Sequence, residues 1–167
     1  MNQLIGGKEP IVPADAPDFA LTPQQHRQLG ADLFNHVWTL LEQPDRTAAD
    51  IDTMIHAAHA SRHHWSLAAE AGPEHGARGE WQCSRVYAVL GRAEPALWHA
   101  RRCLEICQAN AIGDWDLAFA YEALARASRV GGDRPATERW LSKARDAAAA
   151  IADPEDRELL LNDLATV

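Results

Sequence analysis

Apolar residues three and four apart recur in seven separate stretches, and no stretch alternates apolar with polar residues at period two. A chain patterned this way is expected to fold as helices and to form no sheet. Thr22-Pro23-Gln24-Gln25 reads as the first start: Thr22 caps, Pro23 suits the first helical position and Gln25 closes a capping box. Leu29, Leu33, Val37, Trp38 and Leu41 then carry one face, and Pro44-Asp45 stops it. Thr47 caps a second helix whose Ile51, Ile55, Ala58, Arg62, Trp65 and Ala69 share a face, with Gly72-Pro73 as its end. Further helices are expected over 77–90, 95–111 and 115–130, the last capped by Asp114. A sixth follows Gly131-Gly132-Asp133 and ends near Ile151, and a short seventh opens at Asp153-Pro154. Residues 1–21, with Gly6-Gly7, Pro10, Pro13 and Pro17, read as an extended or partly disordered arm, leaving one domain over 22–167.

The 167 residues suffice for one domain with a real core. The formal net charge of -8 repels phosphate backbones, so nucleic acid is not an expected partner. No run of about 18 apolar residues exists to span a bilayer, and Met1 to Pro10 does not read as a signal peptide. The odd set Cys83, Cys103 and Cys107 fits reduced thiols, so a cytoplasmic location is expected.

Leu90-Gly91-Arg92-Ala93-Glu94-Pro95-Ala96 lines up with Val130-Gly131-Gly132-Asp133-Arg134-Pro135-Ala136 at a shift of 40 residues, Gly91 to Gly131. Each copy is a helix, a glycine turn and a helix opening with Pro-Ala. Over about residues 77–152 the sequence resembles the tetratricopeptide repeat: Tyr87 matches its aromatic position, and Ala96, Ala100, Ala136 and Ala144 match its small positions. The family period is about 34, so the second helices here are longer. The resemblance implies an all-α fold of about seven helices, stacked as antiparallel hairpins in a right-handed superhelix, with the Leu159–Leu164 helix covering an open end. It also implies a binding module for a peptide, partner protein or small effector. A homodimer stays open.

The segment from His56 to Trp65 holds four of the eight histidines. With Ile51 at 0° and about 100° per residue, His56 falls near ~140°, His59 near ~80° and His63 near ~120°, one strip beside the apolar face. His59 and His63, four apart, can chelate one ion, and His56 with His59 is the alternative pair. A further ligand has to come from another helix: His36, or else Glu80 or His99. Imidazole suits zinc, iron or copper, and manganese enters with carboxylate. The alternative function is therefore a metal-binding protein or metal-dependent enzyme. The strip is not a zincin, because Ala60 stands where that motif needs glutamate. The plainer reading is a polar face that hydrogen-bonds to carboxylates or backbone.

His99, Cys103 and Cys107 form a second strip. Its spacing suits a soft metal, but the stronger reading is that cysteine behaves there as a small apolar residue continuing Ala96 and Ala100. Most of the six tryptophans should anchor the core. Trp65 and Trp81 are expected to wall a pocket in which Arg62 or Arg85 holds an anionic small molecule. Asp114 and Asp116 read as structural carboxylates at a helix start. No phosphate loop, nucleophile elbow or Cys/His nucleophile pair is recognisable, so whether the chain is an enzyme stays open.

Overall fold

The computed structural model describes residues 20–167, so nearly all of the arm expected at 1–21 lies outside the described residues. The described residues are all-helical. Seven helices follow one another: α1 (Pro23–Glu42), α2 (Ala48–Trp65), α3 (Pro73–Val89), α4 (Ala93–Ala109), α5 (Asp114–Val130), α6 (Arg134–Ala148) and α7 (Pro154–Leu164).

Local chemistry explains most of the boundaries. Thr22 and Thr47 each accept from the backbone N–H three residues on, while the side chains of Gln25 and Asp50 reach back to the cap N–H groups. At the far end of α1, Arg46 Nη1 donates to the carbonyls of Leu40, Leu41 and Gln43 at 3.1, 2.9 and 2.6 Å, satisfying oxygens the helix leaves open. Asp153 caps α7 through the N–H groups of Glu155 and Asp156.

Three expectations change. α2 ends at Trp65, not at Gly72-Pro73, and that dipeptide is instead the N-cap and first residue of α3. Pro73 lacks an N–H and is preset in φ, which suits a helix start as well as a stop. Asp114 does not cap α5, because Gly113 holds that place, and Asp114 Oδ1 accepts from Ala152 N at 3.2 Å. The repeat shift is 41 residues, not 40: Gly91 and Gly132 are the turn glycines with positive φ, +70° and +73°. Arg92 N donates to Tyr87 O, and Asp133 N to Ser128 O, in the same register. The left-handed conformation fixes the alignment, because only one of the two adjacent glycines occupies it. Cys83, Tyr87 and His99 therefore correspond to Leu124, Ser128 and Trp140.

Consecutive helices pair as α1–α2, α3–α4 and α5–α6, and the hairpins join through α2–α3 and α4–α5. The first helices also meet directly, α1 with α3 and α3 with α5. Small residues allow the approach: Ala96, Ala100, Cys103 and Cys107 of α4 are buried, as are Ala144 and Ala148 of α6. α7 closes the stack against α5 and α6, with Leu160 and Leu164 packed on Ala118, Phe119 and Ile151.

Leu160 is fully buried. Leu160→Ala is expected to cost about 2–5 kcal/mol, read as a lower urea midpoint by circular dichroism.

Candidate functional site

α2 is continuous through His56, His59 and His63, so the strip exists as expected. Its members diverge beyond the backbone. His56 and His63 are exposed, as is His36 on α1, and His59 is itself partly open to solvent. Only His59 of these turns to the neighbouring helices. Its Nε2 lies 2.9 Å from the Tyr87 hydroxyl, and its ring centroid is 5.2 Å from that of His99. Among the described residues, the group of His, Cys, Asp or Glu with three donor atoms close enough for one ion is His59, Cys83 and His99, all within 4.8 Å of one another. His36, His56 and His63 are not in it.

Three helices build this group. The Cα traces of α2 and α4 nowhere approach within 8 Å among the described residues, so a furrow runs between them with α3 as its floor. His59 and His99 lean across it from the two sides. Cys83 and Tyr87, one turn apart on α3, come up from below. Cys83 is fully buried, and the Tyr87 ring stacks on His99 at 5.7 Å and 8°. His99 Nδ1 is 2.7 Å from Glu80 Oε2, and Arg62 Nε donates to Glu80 Oε1 at 3.2 Å. Cys103 and Cys107 of α4 are not part of this group and pack with Ala77 and Ala120 in the core.

The electrostatics follow from burial and these partners. Burial, then the neighbouring His99 and, against the pull of Glu80, His56, hold His59 below the ordinary imidazole value. Burial would raise the Glu80 carboxyl, but the His99 hydrogen bond and charge, with Arg62, outweigh it and hold that carboxyl low. Burial and the Glu80 charge push the Cys83 thiol up to about 12.

The expected aromatic pocket is rearranged. Arg62 is engaged by Glu80, and Arg85 pairs with Glu122 and Asp163 while lying over the Trp81 ring. Both guanidinium groups serve internal carboxylates, and neither lines the cavity at Trp65. Trp81 packs between Trp38 and Phe119, its Nε1 donating to Glu122 Oε2 at 3.3 Å. Of the four, Trp65 lines a cavity of about 190 Å³ with Phe34, His75 and Arg78, while Trp81 borders only a gap of about 10 Å³. Its indole stacks on His75 at 4.3 Å. The cation of this cavity is Arg78, which no motif or spacing in the sequence singles out. Its Nε and Nη2 donate to the carboxylate of Asp116 at 2.8 and 2.9 Å, and its guanidinium lies 4.4 Å from the Trp115 ring centroid. Asp116 is therefore the anchor of a cation and not only a helix-start charge.

No protein-family model, curated protein or solved structure matches this chain.

Two further histidines pair at the C-terminal end of α2: His26 Nδ1 and His64 Nδ1 are 2.7 Å apart. At that separation one ring donates and the other accepts. Burial, then the charges of His26 and His63, place His64 below the ordinary 6.5. The unfolded chain takes up that proton at its ordinary pKa, whereas the folded chain does so only at lower pH. This contribution leaves stability intact above about 6.5 and erodes it as pH falls. Thermal melts between pH 7.5 and 5 should show the midpoint falling on acidification, with a shallower fall in His64→Gln.

Proposed function

We propose that the chain is a helical-hairpin binding module that takes an anionic group carried on a flat or apolar body, presented by a peptide, a partner protein or a small effector. The observation that carries this reading is the cavity at Phe34, Trp65, His75 and Arg78. Aromatic walls supply apolar area at little entropic cost, and a guanidinium supplies directional donors for a carboxylate or phosphate. Arg78 is preorganised to act as such a donor. Asp116 grips one side of its fork and Trp115 supports its face, leaving Nη1 outside the Asp116 pair. A cavity of about 190 Å³ suits a side chain or small head group better than a drug-sized molecule, whose sites run from about 300 Å³. The tetratricopeptide resemblance supports the same class of role, and the net charge of -8 argues against nucleic acid as the source of the anion. No helix among the described residues is long and apolar enough to cross a membrane. We place the module in the cytoplasm on its odd set of cysteines, all three free and buried.

Benzoate is a direct probe, with benzyl alcohol as its uncharged control, followed by tryptophan fluorescence. Benzoate should bind saturably and the alcohol at least about tenfold more weakly, since a hydrogen bond to a charged group is worth about 1.5–3 kcal/mol. Arg78→Leu should remove the preference for the anion, and Trp65→Ala should weaken both ligands, each with the helical signal retained. Equal binding of the two probes, or benzoate binding indifferent to Arg78→Leu, would falsify the reading.

A further inference from the structure

Separately from that cavity, we infer that His59, Cys83 and His99 form a binding site for one borderline transition-metal ion, zinc first, in the furrow between α2 and α4. The donor atoms lie within 4.8 Å of one another on three different helices. Bonds of about 2.0–2.3 Å at tetrahedral angles put ligand atoms roughly 3.3–3.6 Å apart, so closure takes a contraction of about an ångström, within rotamer adjustment of the two imidazoles. One thiolate and two imidazoles favour zinc, cobalt or copper over magnesium or calcium, which take oxygen.

Two observations separate this group from a chance meeting. The first is the surroundings of His99. Its Nδ1 is tied to Glu80 Oε2 at 2.7 Å, leaving Nε2 as the ligating nitrogen, and Arg62 braces the carboxylate from α2. A carboxylate behind a histidine is the arrangement that fixes ring orientation at metal centres. The second is the next repeat. In the 41-residue register, Leu124, Ser128 and Trp140 stand where Cys83, Tyr87 and His99 stand, and Tyr121 replaces Glu80. There Tyr121 stacks on Trp140 at 5.9 Å, and Leu124, Ser128 and Trp140 line an open cavity of about 310 Å³. At these equivalent positions the hairpin packing is thus satisfied without histidine or cysteine. The donors in the first furrow are not required by the fold.

On binding, the Cys83 sulfur–hydrogen bond breaks, its proton passes to solvent and a sulfur–metal bond forms. Three protein ligands leave a fourth position, which falls to the Tyr87 hydroxyl or to water. The site differs from the one expected around α2: His59 and the alternative outside ligand His99 are common to both, Cys83 is added, and His36, His56 and His63 drop out.

The test uses the full chain without a histidine tag, stripped with chelator and titrated with Co²⁺. One ion per chain with thiolate-to-cobalt charge-transfer absorption is expected. Cys83→Ser should abolish that absorption, and Glu80→Gln should weaken binding about 10–100-fold. His56→Ala/His63→Ala should leave both stoichiometry and spectrum unchanged. Should Cys83→Ser lose its helical signal, X-ray absorption of the zinc-loaded wild type decides, one sulfur at about 2.3 Å being the supporting result. The site is overturned by cobalt bound without the charge-transfer band, by zinc surrounded by nitrogen and oxygen alone, or by binding that disappears only in the His56/His63 variant.

Discussion

Three carboxylates shut inside the stack govern how its helices are oriented. Glu80, Asp116 and Glu122 are all buried, and an ionised carboxylate taken from water is costly unless cations and donors surround it. Each finds partners on other helices. Glu80 of α3 takes Arg62 of α2 and His99 of α4, Asp116 of α5 takes Arg78 of α3, and Glu122 of α5 takes Arg85 and Trp81 of α3 as well as Arg126 of its own helix. Asp163 of α7 shares Arg85, which draws the last helix into the same network. Alanine-rich contacts are short but undirected. The ion pairs supply direction, so a rotation of one helix by a single position would leave a charge stranded.

The two candidate sites are by-products of this arrangement. Asp116 fixes Arg78, and Arg78 gives the Trp65 cavity its cation. Glu80 fixes His99, and His99 brings a nitrogen to the furrow where Cys83 and His59 meet. The same carboxylates that hold the fold also aim the groups that face outward. Function and stability are thus coupled at these positions, and a neutral substitution of either acid touches both.

Local features are legible in the sequence and long-range ones are not. Thr22, Thr47 and Asp153 announce helix starts because capping is decided within three residues. Gly72-Pro73 misleads because the dipeptide suits either side of a boundary. The register of the repeat is displaced by one because Gly131 and Gly132 look alike until φ is known. His59 stands out through its spacing from His56 and His63, a rule about a single helix. Of its partners on other helices, His99 is legible only as an alternative ligand by residue type, and no periodicity points to Cys83. Arg62 and Arg85 look free to bind a ligand because sequence spacing does not show that Glu80, Glu122 and Asp163 reach them first.

The matched turns at Gly91 and Gly132 give the chain a natural unit of length. α3 with α4, and α5 with α6, begin at corresponding places in that unit, so the fold is extensible by whole hairpins. A duplicate of residues 73–113 spliced ahead of Asp114 would meet α5 with its own copies of Arg78 and Arg85, but at the new seam His75 and Trp81 would stand where Asp116 and Glu122 stand, leaving the first copy's cations without their carboxylates. Lengthening by whole hairpins would therefore keep both ends but need two new acids at each added seam.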